Sequence, residues 1–210
     1  MSPAARQALF SALAAANPDP RSELVYHTPF ELLVAVILSA QATDASVNKA
    51  CAKLFPVANT PSALLSLGEA GLTEYVRSIG LYRSKVKNIL ATCARLQTDF
   101  GGEVPRQREA LENLPGVGRK TANVVLNVAF GEPTIAVDTH VFRVSNRTGL
   151  ATGKTPLEVE EKLLAAVPKT FLLHAHHWLI LHGRYVCQAR LPKCGDCLIR
   201  RWCAYPDKPA

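Results

Sequence analysis

The chain has 210 residues, 48% of them hydrophobic, and a formal net charge of +7. This length allows one domain or two small ones, and the hydrophobic content is ample for a buried core. The longest apolar run, residues 32–38, is far shorter than the roughly 20 residues that span a bilayer, and the N-terminal stretch lacks the compact apolar core of a signal peptide. We therefore expect a monomer of the cytoplasm, associated with the nucleoid and without a membrane partner, whose basic surface favours a polyanion such as nucleic acid.

Apolar residues recur at spacings of three and four along most of the sequence, and no convincing alternating strand is present, which predicts an all-α fold. Thr28, Thr60 and Thr155 each precede a proline, a pairing of an N-cap hydroxyl with a first-turn proline that marks a helix start. The predicted helices span residues 3–16, 29–40, 44–55, 61–67, 68–78, 82–100, 107–114, 118–130, 138–148, 156–167 and 169–183.

Four of the six cysteines form a group near the C-terminus, with the spacing Cys187-x6-Cys194-x2-Cys197-x5-Cys203. In a cytosolic protein such a group indicates a metal rather than disulfides. A zinc site with four cysteine ligands usually has two close pairs, whereas this group has one. A single [4Fe–4S] cluster fits better, because a cubane accepts one ligand at each of four corners. Arg190 and Lys193, in the first loop, either offset the cluster's negative charge or face a phosphate, while Cys51 and Cys93 are expected to be buried core thiols.

A Pro-Gly-x-Gly turn interrupts the helical pattern within LENLPGVGRKTANVV, residues 111–125. Pro115 ends one helix, and Gly116 and Gly118 permit positive φ and the close approach of a ligand. The free N–H groups at the start of the next helix form an anion site that suits a backbone phosphate and binds nucleic acid without reading its sequence. A Walker loop is excluded, because Arg119 breaks the required spacing and no strand precedes the turn.

These motifs together resemble the endonuclease III family of DNA glycosylases. The hairpin LPGVGRKTANVV is followed by VDTHVFR at 137–143 and by the four-cysteine spacing, and LSAQATD at 38–44, IGLY at 79–82 and HAHHWLILHGR at 174–184 match as well. The resemblance covers nearly the full chain and implies two helical domains with a helix-hairpin-helix motif, a C-terminal [4Fe–4S] loop and a DNA cleft between the domains. Helix-breaking proline and glycine residues at 17–20 and 131–133 then mark the expected domain boundaries. They delimit a helical barrel domain at 22–132 and an iron–sulfur domain formed by 1–21 plus 133–210.

The resemblance assigns Lys120 and Asp138 as the catalytic pair. An amine that attacks C1′ of a deoxyribose must be neutral, a form favoured by burial or by nearby positive charge such as Arg119 and the helix N-terminus. A lysine at that helix end opposes the macrodipole, which favours a functional reason for its position over a solvated surface lysine. Asp138 also suits a helix N-cap, and the two roles are compatible. The implied activity is a DNA glycosylase and AP lyase that acts on damaged or abasic duplex DNA, through a Schiff base and β-elimination 3′ to the site.

A damaged base must leave the stack to reach such a pair. By the resemblance, Gln41 enters the vacated space, and Leu81, with Ile79 near it, wedges the opposite strand, as an apolar residue on a short turn can. His140 is either a DNA contact or a structural residue of a first helical turn. The complete set of expected DNA contacts is Gln41, Ile79, Leu81, Gly116, Gly118, Arg119, His140, Arg143, Arg190 and Lys193.

Other polar residues carry weaker expectations. Ser39 and Asp44 are placed in the substrate pocket by the resemblance, with Asp44 otherwise a helix N-cap. Helical spacing spreads the histidines of the segment 174–182 over different faces, which favours core or cap roles over metal ligation.

Several readings stay open at the level of sequence. The same scaffold serves specialists for pyrimidine dimers or mismatched bases, although Lys120 argues against the adenine-from-mismatch branch, which lacks a lysine there. An electron-transfer iron–sulfur protein whose helical part only binds DNA, and a zinc-stabilised DNA-binding module, are readings of a different class.

Overall fold

The structure, a computed structural model, describes residues 1–208, and all regular secondary structure in that part of the chain is helical. The all-α prediction is thereby confirmed. None of the helices in this range is both long and apolar enough to cross a membrane. The α-helices are α1 Pro3–Ala16, α2 Pro29–Ser39, α3 Asp44–Leu54, α4 Pro61–Val76, α5 Tyr82–Phe100, α6 Arg108–Glu112, α7 Arg119–Phe130, α8 Thr139–Thr148, α9 Pro156–Ala166 and α10 Leu172–Tyr185, with 3₁₀ turns at Lys169–Phe171 and Arg200–Trp202.

Hydroxyl caps begin the helices where the sequence predicts them. Thr28, Thr60 and Thr155 each accept a hydrogen bond from the backbone N–H three residues on, at 3.1, 3.2 and 3.2 Å. At α3 the cap is Thr43, whose hydroxyl accepts from a first-turn N–H at 3.3 Å. Asp44 is therefore the first residue inside the helix, which corrects its alternative role as the N-cap and places its carboxylate at the positive end of the helix dipole.

Helix boundaries differ from the predicted ones where a glycine or a 3₁₀ turn intervenes. The two helices predicted at 61–67 and 68–78 form one element, α4, with a kink at Gly68, whose φ of 69° and ψ of 179° are not helical. The helix predicted at 169–183 begins as the 3₁₀ turn, and α10 then continues to Tyr185. These differences leave the order of elements unchanged.

The chain forms two compact units. One comprises Ser22–Gly131, and the other comprises Met1–Arg21 together with the chain from Glu132 onward. In the first unit, α2 is buried along its length from Phe30 to Leu38 and packs against α3, α5 and α7. A helix that is covered on every side must be apolar all round, which explains the continuous apolar run in its sequence.

The second unit has its own core, in which α8 packs against α10 and α9, and α1 packs against α10. The ring of Phe10 lies 5.8 Å from that of Phe171 and 6.3 Å from that of Trp178. The indole N–H of Trp178 donates to the carbonyl of Asn17 at 2.8 Å, which satisfies its polar edge in an otherwise apolar setting. The N-terminal helix is thus fixed to the C-terminal part of the chain.

Candidate functional site

The turn between α6 and α7 is a tight hairpin that uses its two glycines differently. Gly116 has a φ of 77°, and a Cβ there would lie 2.8 Å from Cβ of Asn88, so both backbone conformation and space require glycine. Thr92 fixes the turn from α5 by donating its hydroxyl hydrogen to the carbonyl of Pro115 at 2.8 Å. Gly118, the N-cap of α7, has open space where a side chain would stand. The hairpin is thus packed on one side and leaves the helix N-terminus accessible at Gly118.

Lys120 is the second residue of α7 and is exposed, as is Arg119 before it. Burial, one of the two means that the sequence suggests for favouring a neutral amine, is therefore not provided by this chain. The adjacent Arg119 guanidinium and the N-terminal dipole of α7 remain as the local positive charges.

Asp138 is the N-cap of α8. Its Oδ1 accepts from the backbone N–H groups of His140 at 2.9 Å and Val141 at 2.8 Å, as the sequence suggests. Both hydrogen bonds use the same carboxylate oxygen, and they orient the carboxylate by two contacts to the helix.

Gln41 and Leu81, the two residues expected to enter the DNA stack, share a rare backbone conformation. They are the non-glycine residues with positive φ among residues 1–208, at 55° and 59°. A left-handed conformation costs an L-residue about 1–2 kcal/mol, so it persists only where surrounding structure enforces it. The two turns adjoin, because a Cβ on Gly80 would lie 3.7 Å from the carbonyl oxygen of Gln41. Leu81 is 61% exposed and apolar. We call the turns at Gln41 and Leu81 the two tips of the first unit.

The neighbours of these tips have other roles. Ile79 is only 2% exposed, so its side chain packs in the core. Any contact of Ile79 with DNA beside Leu81 stays a prediction. Ser39, at the end of α2, donates its hydroxyl hydrogen to the carbonyl of Val36 at 2.8 Å and is half-buried. Its place in a substrate pocket, like that of Asp44, stays a prediction.

A buried lysine that the sequence analysis missed lies beneath the two tips. Lys85 is 4% exposed, and its ammonium donates to the carbonyls of Leu38 at 2.9 Å and Ala40 at 2.6 Å. Burial lowers the pKa of Lys85 from its ordinary value. A signal was present in the sequence, since Lys85 shares the apolar stripe of α5 with Ile89, four residues later.

His140 and Arg143, both expected at the DNA, make internal contacts across α8 and α10. The Arg143 guanidinium donates to the carbonyls of Gly183 at 2.7 Å and Cys187 at 2.9 Å, and its Nη2 lies 3.3 Å from Nδ1 of His140. These contacts connect α8 to the beginning of the cysteine loop, the segment 187–203 that carries the four clustered cysteines. Any contact of either residue with DNA stays a prediction.

The four clustered cysteines line one cavity, which is partly open to solvent. Burial raises the pKa of the Cys197 thiol, a backbone hydrogen bond from Ile199 opposes this, and the charges of the other three thiols raise it further. Within residues 1–208, no group of three or more His, Cys, Asp or Glu side chains is close enough together to hold a single metal ion.

Hydrogen-bond donors approach three of these sulfurs. Nη1 of Arg147 lies 3.8 Å from Sγ of Cys187, Nε2 of His182 lies 3.6 Å from Sγ of Cys197, and a backbone N–H lies 3.4 Å from Sγ of Cys203. Arg147 and the backbone N–H donate, as does His182 when its Nε2 carries the proton, and such donors stabilise thiolate ligands. The donor set therefore fits a thiolate-ligated cluster.

Arg147 is the second residue that sequence reasoning missed. Besides approaching Cys187, it donates to the carbonyls of Gln188 at 2.6 Å and Ala189 at 2.7 Å. The signal was its spacing, since Arg143 and Arg147 are four residues apart and share a face of α8. Both arginines bind backbone at the beginning of the loop, whereas Arg190 and Lys193 within it are exposed.

The predicted core residues lie as expected. Cys51 and Cys93 are 1% and 0% exposed, and burial raises the pKa of each thiol to about 12. His176, His177 and His182 are buried as well. The core prediction for these cysteines and histidines is confirmed.

A helix-hairpin-helix and a four-thiol cavity on an all-helical chain define a recognisable class. The family model described as "HhH-GPD superfamily base excision DNA repair protein" matches residues 34–169. This match covers more than half of the chain and includes the hairpin, Lys120 and Asp138.

Individual relatives narrow the class. Endonuclease III of Haemophilus influenzae is 64% identical over 192 residues, 91% of each chain, and endonuclease III of Escherichia coli K12 is 61% identical over 208 residues, 99% of each. A solved structure of a trapped endonuclease III–DNA covalent intermediate matches with a TM-score of 0.91 and 47% identity, covering 97% of this chain and 96% of that one. The chain belongs to the endonuclease III family.

Proposed function

We propose that this protein is a bifunctional DNA glycosylase and AP lyase of base excision repair, which removes oxidised or otherwise damaged pyrimidines from duplex DNA. One observation carries the proposal: Lys120 is exposed at the start of α7, two residues after the open N-cap Gly118. A phosphate bound at that N-terminus brings a sugar within reach of an amine in the same turn. High identity to endonuclease III over nearly the whole chain supports this assignment.

In the proposed reaction, the neutral amine of Lys120 attacks C1′ of the damaged nucleotide, and the bond from C1′ to the base nitrogen breaks. The base leaves with the bonding electron pair and takes up a proton. The attached nitrogen then loses a proton, the C1′–O4′ bond breaks and O4′ is protonated, so that the sugar ring opens and the Schiff base forms between C1′ and Lys120. Removal of a proton from C2′ then expels the 3′ phosphate by β-elimination, and water releases Lys120 by hydrolysis. Asp138 stabilises the oxocarbenium-like sugar or accepts a proton.

Most of the DNA contacts in this proposal follow from the accessible features of the first unit. Backbone N–H groups at Gly116 and Gly118, with the Arg119 guanidinium, hold a phosphate without reading sequence. Gln41 fills the space left by the extruded nucleotide, and Leu81 wedges the opposite strand. The remaining proposed contacts are His140, Arg143, Arg190 and Lys193.

We further propose one [4Fe–4S] cluster, with Cys187, Cys194, Cys197 and Cys203 as its ligands. When bound, the cluster supplies four iron–thiolate bonds that cross-link the loop. Arg147 and His182 donate hydrogen bonds towards the ligand sulfurs. We also propose that the protein works in the cytoplasm, at the nucleoid.

Borohydride trapping tests the catalytic assignment. Wild-type protein incubated with an abasic or thymine glycol duplex and borohydride is expected to give a covalent protein–DNA adduct, which Lys120→Ala abolishes. Asp138→Asn tests the catalytic role of Asp138 separately from its role in folding, because asparagine caps a helix as well as aspartate does. It should keep the thermal unfolding midpoint while the trapping rate falls. A wild-type protein that forms no adduct would contradict the proposal.

The substrate class needs a separate measurement. Single-turnover excision from duplexes that contain thymine glycol, dihydrouracil, a pyrimidine dimer or a mismatched thymine should be fastest for the first two. Faster excision of the dimer or the mismatch would instead make the protein a specialist on the same scaffold.

A further inference from the structure

A buried cation joins the two strained tips of the first unit. The Lys85 ammonium donates to the carbonyls of Leu38 and Ala40, in the last turn and at the C-cap of α2. Carbonyls at a helix end have no partner within the helix, and a cation there also complements the helix dipole. No carboxylate within residues 1–208 forms an ion pair with Lys85. The carbonyls of Leu38 and Ala40 are therefore the main polar partners of the Lys85 ammonium.

The same residue contacts the backbone at both left-handed positions. Its side chain binds the carbonyl of Ala40, directly before Gln41. Its backbone N–H makes the first hydrogen bond of α5, to the carbonyl of the N-cap Leu81 at 3.2 Å, so the side chain anchors the turn of Leu81 through the start of this helix. Gln41 and Leu81 have φ values of 55° and 59°. Because L-residues disfavour this conformation, a contact that fixes the adjoining peptide is needed to maintain it.

We propose that Lys85 is a positioning residue for damage recognition, which holds the turns of Gln41 and Leu81 in register with each other so that both enter the DNA together. This inference rests on the proposed function, in which Gln41 and Leu81 fill and wedge the opened duplex. Lys85 acts through these turns rather than on DNA, because an ammonium that is 4% exposed and bound to two carbonyls is not available to a phosphate.

A positioning role for Lys85 predicts different effects on the binding of damaged and undamaged duplex. Gripping undamaged duplex needs the exposed basic surface, whereas gripping an opened duplex also needs both tips in place. Loss of Lys85 should therefore weaken binding to an abasic-analogue duplex much more than binding to intact duplex. A lysine with a purely structural role would weaken both equally, through a lower fraction of folded protein.

The test compares Lys85→Met with Lys87→Met, which removes the same charge from an exposed position two residues along α5. Dissociation constants of the holoenzymes are measured for a duplex with a tetrahydrofuran abasic analogue and for the same duplex undamaged. Loss of hydrogen bonds from a charged donor predicts that Lys85→Met lowers the preference for the analogue about tenfold. Lys87→Met should keep the wild-type preference. An unchanged preference in Lys85→Met, or an equal loss on both duplexes, would overturn the inference.

A second variant and a double-mutant cycle guard against misfolding. Lys85→Gln keeps one donor group and should show an intermediate preference. In a Gln41→Gly background, where glycine accepts the positive φ but no side chain enters the stack, the effect of Lys85→Gln should shrink. Equal effects in both backgrounds would show that Lys85 does not act through Gln41 and would overturn the inference.

The wild-type measurement separates this inference from the function beneath it. A wild-type protein that neither traps with borohydride nor prefers the abasic analogue overturns the proposed function, and the role of Lys85 with it. A wild-type preference that persists in Lys85→Met overturns the role of Lys85 alone.

Discussion

Gly183 on α10 lies directly against His140 on α8. A Cβ placed on Gly183 would come within 2.8 Å of Cβ and 3.0 Å of the carbonyl oxygen of His140. These atoms include backbone, which cannot rotate away as the end of a long side chain can. The close crossing lets Arg143 reach the carbonyl of Gly183, and it fixes α8, the helix that Asp138 caps.

Gly183→Ala should destabilise the protein by about 1–3 kcal/mol, the usual cost of overpacking a tight contact. The helices must separate to admit the methyl group, and this moves the first turn of α8 with its Asp138 cap. Thermal unfolding followed by circular dichroism measures the effect. An alanine variant as stable as wild type would show that the two helices separate at no cost.

Gly118→Ala, unlike Gly183→Ala, should leave the stability of the protein nearly unchanged and should weaken its binding to DNA. The φ of −95° suits alanine and no protein atom lies within 4 Å of the new Cβ, so only a small loss of N-cap preference is expected. The methyl group stands where a phosphate would approach the backbone. Fluorescence anisotropy on undamaged duplex measures the affinity, with Gly183→Ala as the control for general destabilisation. Unchanged affinity would contradict a phosphate site at this N-cap.

Arg147→Met should speed the loss of the proposed [4Fe–4S] cluster. The substitution keeps much of the aliphatic stem but removes the hydrogen bonds to Gln188, Ala189 and the Cys187 sulfur that hold the start of the loop. Losing such outer contacts weakens metal binding by about 10–100-fold. Decay of the absorbance near 400 nm in the presence of a chelator measures the rate, with Arg190→Met in the same loop as the control. Equal decay rates in the two variants would contradict this role.

His177 should make the protein less stable in mild acid. Burial, followed by the charge of His174, lowers the pKa of His177 to about 4 in the folded state, against about 6.5 when unfolded. Between these values the unfolded chain binds a proton that the native chain does not, so stability falls as the pH falls from about 6.5 towards 4. His177→Phe should flatten this part of the profile of unfolding midpoint against pH. Parallel profiles for the two proteins would contradict the prediction.

Local chemistry explains most of what was predictable. Each of the hydroxyl caps at Thr28, Thr60 and Thr155 depends on a few neighbouring residues, so spacing alone locates it. The glycine turn at Gly116 and the grouping of the four cysteines are local in the same sense. The family resemblance supplied the roles of Lys120 and Asp138, which neither residue reveals by its surroundings in the sequence.

The sequence by itself determined the helical class, the hairpin, the thiol set and the family. Only the tertiary structure separated the buried Ile79 from the exposed Leu81, and only it showed that Lys85 and Arg147 bind carbonyls 45 and 41 residues away along the chain. The physical reason is range. Periodicity and capping depend on neighbours within one or two helical turns, whereas the partners of a buried cation and the strain at Gln41 and Leu81 arise when distant segments pack together.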